Sequence, residues 1–258
     1  MTHSFTRGVQ VDTDPLLASN SNDVTPSQAA VVAYVTSKIG SGQVIGVTVL
    51  TVGSGTFTTS ATTRALLVEV LGAGGQGGGV TSAASQSAGG TGGGGGSYAR
   101  KLFTVTPSTG YSYTVGAGGS TSAAGNNTGQ AGASSTFGPV SAVTVTAPGG
   151  SGGAGMATGT SVNMLISSAG GTTPTNGDLN VVGQPSIGGM RLALDECAGG
   201  NGGNSYFGGG GVGLDSNSDG AAGVGYGAGG AGASSVSTTT SRKGGLGADG
   251  VIYITEYS

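Results

Sequence analysis

Residues 88–105 read AGGTGGGGGSYARKLFTV, so an almost uninterrupted run of glycine leads directly into a segment with the character of a β-strand. Glycine supplies 59 of the 258 residues, roughly a quarter of the chain, whereas glycine makes up about 7% of an average protein. Such a run is either a flexible linker or a segment in which backbones pack where no side chain fits. The remainder of the chain bears on this choice.

The overall composition favours a folded chain. Disordered proteins combine low hydrophobicity with high net charge, whereas this chain is 35% apolar and 7% charged, with a net charge of −3. Between Leu102 and Gly177 the only ionisable side chains are those of tyrosine. Because a long uncharged chain that stayed unfolded would be poorly soluble, we expect a compact, glycine-dense fold.

Polyglycine II helices are one form that the glycine runs can take. These helices resemble polyproline II: they are left-handed, have three residues per turn, and hydrogen-bond only to neighbouring segments. Only glycine lets their backbones approach closely, and ordering glycine costs more backbone entropy than ordering any other residue. Many glycine segments must therefore order together. A flexible linker remains the alternative for any single run.

The predicted fold class is mostly β, with a short N-terminal helical segment followed by a glycine-rich β-sandwich-like domain. Residues 1–43 are predicted to be an attachment or oligomerisation segment, and residues 44–258 the glycine-rich β domain. A helix is predicted over 26–39, with Thr25 as the N-cap and Pro26 at the first helical position. Because so short a helix is marginal in water, its apolar face must pack on the body of the chain or on copies of itself.

Strands are predicted at 44–52, 65–71, 139–147 and 250–257 from their apolar, β-branched character. A hairpin is predicted between 99–105 and 111–117, joined by a turn at 106–110. The final strand follows the long glycine tract that begins at Gly149, yet it has the character of the earlier strands. We therefore expect it to pair with strands before Pro148, which makes the tract an insertion on a sandwich.

Several classes of function are disfavoured. The chain has no basic stripe of the kind that nucleic acid requires, and its lone Cys197 excludes an intramolecular disulfide. No stretch matches a signal peptide or a transmembrane helix. His3 is the only histidine, so a Ser–His or Cys–His couple lacks a credible base. The adjacent Asp195 and Glu196 would point to opposite faces of a strand, so we expect no enzymatic activity, and we predict no cofactor.

One motif resembles half of a calcium-binding loop. Asp215, Asn217, Asp219 and Gly220 have the spacing of its first half, but Tyr226 occupies the position where such a loop carries glutamate. The alternative is a polar surface turn, in which the same residue types are common. We predict no metal site.

Recognition is predicted to lie in the non-glycine inserts at 156–168, 172–197 and 204–226. Side chains on loops that a rigid scaffold holds are suited to contacting sugars or protein surfaces. The candidate binding residues are Met164, Leu165, Arg191, Tyr206, Phe207, Asp215, Asn217 and Tyr226.

The segment VDTDPLLASNSNDVTPSQAAVVAYVTSKI (11–39) resembles a segment found in the tail fibres of tailed bacteriophages. ALLVEVLGAGGQGGG (65–79), GYGAGGAGA (225–233) and GADGVIYITEY (247–257) resemble the glycine-rich domain at the receptor-binding ends of such fibres. The resemblance covers nearly the whole chain. It implies a virion protein at the distal, exposed part of the tail, a homotrimer attached to a tail or baseplate protein.

The function that this resemblance implies is host attachment by a non-enzymatic adhesin. Its partner would be a glycan or an outer-membrane protein on the bacterial surface. The alternative is an ice-binding or other structural protein built from a polyglycine bundle, which would leave the capped N-terminal helix unexplained.

Overall fold

The computed structural model describes residues 11–12, 25–39, 42–81, 83–120 and 123–258. Most of the predicted attachment segment, including His3, lies outside these residues. The elements, in chain order, are β1 (Val11–Asp12), β2 (Thr25–Pro26), α1 (Gln28–Ile39), β3 (Val44–Leu50), β4 (Ser54–Thr58), β5 (Ala65–Leu71), β6 (Ser87–Gly89), β7 (Tyr98–Thr104), β8 (Gly110–Thr114), β9 (Ser135–Val140), β10 (Val143–Ala147), β11 (Asn163–Met164), β12 (Leu179–Val181), β13 (Met190–Ala193), β14 (Glu196–Ala198), β15 (Gly208–Gly209), β16 (Val224–Gly225), β17 (Ser234–Val236) and β18 (Val251–Tyr257).

Helix α1 begins two residues later than the sequence predicts. Ser27 caps it: its hydroxyl accepts a hydrogen bond from the Ala30 amide at 3.0 Å, and its carbonyl accepts the first helical bond from Val31. The prediction of Thr25 as the N-cap is wrong, because β2 takes Thr25–Pro26 into a parallel bridge with β1. Serine and threonine are both good caps, so the sequence alone did not discriminate between them.

Two antiparallel sheets form a sandwich. One sheet has the strand order β12-β7-β5-β18-β3, and the other has the order β10-β9-β8-β4. The C-terminal strand β18 lies between β5 and β3, which confirms that the chain closes back on its early strands. The buried core between the sheets includes Leu66, Val68, Phe137, Ile252 and Ile254.

The predicted hairpin around residues 106–110 is wrong. Strand β7 pairs with β5 in the larger sheet, whereas β8 pairs with β4 and β9 in the smaller one. The turn therefore crosses from one layer to the other. Phe103 and Tyr111, on either side of it, both contact Phe137, at ring-centroid distances of 6.3 and 6.2 Å. Burial of these rings decides the crossing, and local turn chemistry does not encode it.

The strands differ from the predicted ones at two further places. The single strand predicted over 139–147 is a hairpin, because Ser141 and Ala142 adopt positive φ angles of 47° and 67° and reverse the chain between β9 and β10. Strand β4 lies between the predicted strands 44–52 and 65–71, where the sequence predicts no strand, and Phe57 anchors it in the core.

The glycine runs are ordered helices with a threefold hydrogen-bonding pattern. In segment 72–80, successive amides donate to three different neighbouring segments in rotation, and each neighbour recurs every third residue. The first neighbour is segment 91–97, whose carbonyls at Ser97, Gly94 and Thr91 accept from the amides of Gly72, Gly75 and Gly78, respectively. The second is segment 127–133, where Ala133, Gln130 and Asn127 accept from Ala73, Gln76 and Gly79. The third is segment 242–248, where Ala248, Gly245 and Arg242 accept from Gly74, Gly77 and Val80. A period of three with no bonds inside the segment is the pattern of a polyglycine II bundle.

The run at 89–97 is part of this bundle and is not a linker. Its amides donate, again in rotation, to segments 227–233, 148–154 and 184–187. A Cβ on Gly92, Gly94 or Gly96 would lie within 2.1 Å of a carbonyl oxygen of a neighbouring segment. The segment can therefore contain only glycine at these positions.

The bundle extends from one end of the sandwich. Segment 72–80 begins directly after β5 and, at a rise of about 3.1 Å per residue, spans about 25 Å. The register of its neighbours then places two sets of loops at opposite ends, called here the sandwich end and the distal end. The distal end comprises residues 81, 83–89, 123–126, 156–166, 187–198, 214–218 and 234–242.

Candidate functional site

The structure separates the predicted binding residues into two groups. Tyr206, Phe207 and Tyr226 lie at the sandwich end, beside the first residue of β7. The remaining candidates lie at the distal end: Met164, Leu165, Arg191, Asp215 and Asn217. A single surface containing all eight is therefore not formed.

The three aromatic candidates belong to a packed cluster. The ring of Tyr206 stacks on Tyr98, with centroids 4.1 Å apart and planes inclined by 11°, and Phe207 meets Tyr253 edge-on at 5.3 Å. Tyr226 packs against the same cluster, although its ring stays partly exposed. These contacts fix the loops that join the bundle to the sheet.

Tyr98 is the buried member of this cluster. Its hydroxyl donates a hydrogen bond to the carboxylate of Glu69. Burial first, and then this bond, raise the pKa of Tyr98 well above its usual range. The tyrosine therefore stays neutral, as a structural donor does.

Arg191 holds the distal loops together, so its guanidinium is not free to bind a partner. Only 8% of the residue is exposed. Its guanidinium donates to the carbonyl oxygens of Ser161, Ala157 and Ser87 at 2.5, 3.0 and 3.4 Å. These bonds fasten the insert before β11 to the strand β6.

The polar residues at 215–220 also hold neighbouring backbone. The amide side chain of Asn217 donates to the carbonyl of Val236 and accepts from its amide. The Asp219 carboxylate accepts a bond from the amide of Lys243 at 3.0 Å. Within the described residues, no group of three or more His, Cys, Asp or Glu is arranged to hold a metal ion. Asn217 and Asp219 therefore act as side chains of a surface turn do.

Met164 and Leu165 differ in their surroundings. Leu165 packs against the small cluster formed by Val80, Ala88 and Met156, whereas 69% of Met164 is exposed. Met164 lies in a shallow apolar groove whose other lining side chains include Ile166, Ile187 and Met190. Ile166 and Ile187 lie in the inserts predicted for recognition, 156–168 and 172–197, but neither is among the candidate binding residues that the sequence suggests.

The carboxylate pair considered for catalysis lies in a tight hairpin. Asp195 is in the turn between β13 and β14, and Glu196 begins β14 opposite Ala193. Both side chains are exposed.

Within the part of the chain that the structure describes, the one ion pair joins Lys101 to Asp178 at 2.8 Å, at the edge of the sandwich.

A second apolar surface covers the side of the larger sheet that faces away from the core. This outer face consists of side chains from β3, β5, β7 and β12 that share one side of the sheet by register: Val47, Val49, Leu67, Leu102 and Leu179. Val47 is 63% exposed, and it lies on the edge strand that follows α1. Helix α1 itself exposes Val31 and Val35.

A family model described as a glycine-rich domain matches residues 51–257. The chain belongs to the glycine-rich domain family. The match extends from just before β4 to the end of β18. It does not include α1 or β3, although β3 pairs with β18 in the larger sheet. A search of curated proteins found no significant match. None of the helices in the described residues has the length and apolar character needed to cross a membrane.

Proposed function

We propose that this glycine-rich domain protein is a receptor-binding protein of a bacteriophage tail fibre. It is carried on the exposed part of the virion tail and attaches the particle to the host without enzymatic action. Its partner is a glycan or an outer-membrane protein of the bacterial surface. The resemblance of 11–39 to tail-fibre segments and the membership of 51–257 in the glycine-rich domain family motivate the proposal.

The observation that best supports it is the arrangement of the loops along the bundle. Polyglycine II segments hold a set of non-glycine loops about 25 Å beyond the sandwich. A rigid stalk with loops at one end suits recognition, because the scaffold holds side chains in place without constraining their identity. The distal loops are therefore the receptor-contacting part of the proposed adhesin.

Attachment and assembly are assigned to the outer face of the sandwich and to helix α1. The outer face and the exposed side of α1 are both apolar, and residues 40–43 connect them. Exposed apolar surfaces of this kind mark interaction sites. The proposed homotrimer, and its contact with a tail or baseplate protein, would cover them.

Adsorption measurements test the function. Purified full-length protein should bind cells of bacterial strains that adsorb the phage encoding it, and it should block adsorption of that phage in a dose-dependent manner. Protein heated until the bundle melts is the control. If the folded protein binds no strain that its own phage adsorbs to, the proposed function is wrong.

Deletion of residues 1–40 tests the assembly assignment. The truncated protein should lose oligomerisation or tail attachment but keep the circular dichroism spectrum and melting of the glycine-rich domain. Light scattering compares its mass with that of the full chain. An unchanged oligomer after truncation would contradict the assignment.

A further inference from the structure

We propose that the distal end binds an extended apolar segment of a host-surface protein, not a glycan, along the free edge of β11 and the groove beside it. This inference rests on the proposed function and selects between the two receptor classes that it leaves open. Three features of the distal end support this proposal: a free strand edge, an aliphatic groove beside that edge, and a lack of aromatic rings.

Strand β11 presents unpaired backbone groups to the outside. It pairs with β13 on one side, and among the described residues no strand lies on its other side. The Leu165 amide donates to the Gly189 carbonyl at 2.8 Å, and Asn163 lies opposite Arg191. Because bonded and non-bonded pairs alternate in an antiparallel ladder, the amide and carbonyl of Met164 point to the free edge. An extended peptide can form main-chain hydrogen bonds to such an edge.

The side chains beside this edge are aliphatic. Val162, Met164 and Ile166 are spaced two residues apart, and 87% of Ile166 is exposed. Met164 lies opposite Met190, and Ile187 completes the groove. Methionine is flexible and polarisable, so it adapts to apolar side chains of a partner. The groove therefore matches alternate apolar side chains of a strand added at the edge.

The distal end is poorly suited to sugars. Its residues include no Phe, Tyr or Trp, and every aromatic ring of the cluster described above lies at the sandwich end. Two of its polar side chains, Arg191 and Asn217, already bind backbone of neighbouring loops. A sugar would find no aromatic ring to stack on at the distal end.

Cell binding by edge-blocking variants tests the proposal. Labelled full-length protein is added to cells of a strain that binds the wild type, either untreated or pretreated with proteinase K or with periodate. Met164→Pro removes the outward amide, a change that edge strands tolerate because that donor is not in the ladder. Ile166→Asp places a charge in the groove. Each variant, and proteinase K, should reduce binding at least about tenfold, as loss of a central contact does, whereas periodate should leave binding unchanged.

A matched control keeps the test decisive. Val212→Asp places the same charge on another exposed aliphatic residue of the bundle, and it should bind within about twofold of the wild type. Melting curves verify the folding of every variant, and Ile166→Asp decides the matter if Met164→Pro unfolds. If periodate abolishes binding of the wild type, or if both substitutions leave binding intact, this proposal is wrong. The proposed function would stand in either case. A wild type that binds no cells would overturn the proposed function as well.

Discussion

A Cβ on Gly94 would lie 2.0 Å from the carbonyl oxygen of Ala169. The backbone of Gly94 cannot move aside, because its amide donates to the carbonyl of Ser151 at 2.8 Å and its carbonyl accepts from Gly75 at 2.9 Å. The same close approach recurs along segment 89–97. Glycine is therefore a packing requirement at this position.

Substitution of Gly94 should disrupt the bundle. We expect Gly94→Val to lower the free energy of unfolding by about 3 kcal/mol or more, as overpacking in a rigid core does, which corresponds to a fall in melting temperature of roughly 6–12 °C. Gly209→Val is the matched control, because a Cβ on Gly209 meets no atom within 4 Å. Thermal melts of both variants provide the comparison. Equal melting temperatures would mean that 89–97 is a linker.

Loss of the Tyr206 ring should affect stability and leave adhesion unchanged. The sequence predicts Tyr206 as a binding residue, but its ring stacks on Tyr98 at the end away from the distal loops. Tyr206→Ala should therefore cost about 1 kcal/mol, the scale of an aromatic pair, while cell binding stays at the wild-type level. Tyr206→Phe keeps the ring and should be neutral. A binding-deficient Tyr206→Ala protein with normal melting would restore it as a receptor contact.

Removal of the Arg191 guanidinium should loosen the distal loops. We expect Arg191→Met to cost about 2–3 kcal/mol, because three backbone carbonyls lose a charged donor. Arg100→Lys, at an exposed arginine of the outer face, should change stability by less than about 0.5 kcal/mol. Urea denaturation gives the energies. Faster hydrogen exchange confined to 157–161 would locate the effect, and unchanged exchange there would contradict it.

The thiol of Cys197 should be inert in the native protein. It is buried, its sulfur lies 3.4 Å from the carbonyl of Ser235, and burial raises the pKa of the thiol. Because the thiolate is the reactive form, alkylation by iodoacetamide at pH 8 should be slow until the protein unfolds. A Cys197→Ser protein that also carries Thr239→Cys, at an exposed position, should react rapidly. Rapid native alkylation of Cys197 would mean that the distal end opens readily.

The sequence was informative where local chemistry decides the structure. The apolar segment at 250–257 predicts a strand and its pairing with earlier strands, and β18 confirms both. The short helix was also predicted, with an error of two residues at its start. Predictions failed at the 106–110 turn and in the segment at 139–147, because burial of Phe103 and Tyr111 and the positive φ angles of Ser141 and Ala142 depend on the completed sandwich.

The candidate site was less predictable than the fold. Aromatic and charged residues in glycine-rich loops suggest binding residues, yet Tyr206 packs on another ring and Arg191 is buried among carbonyls. Ile166 is 87% exposed and lies in the predicted insert 156–168, but it was not among the candidate binding residues. Exposure at a loop depends on which end of the bundle it occupies, and local composition does not carry that information.

By itself, the sequence determined that the glycine runs order collectively. Only glycine permits backbone contacts this close, and so many uncharged glycine segments gain enough hydrogen bonds only by packing together. The tertiary structure alone decided which loops lie together. The threefold rotation of hydrogen bonds fixes each segment's neighbours and direction, so residues far apart in the chain, such as Met164 and Met190, meet at the distal end, while Tyr206 is carried to the sandwich.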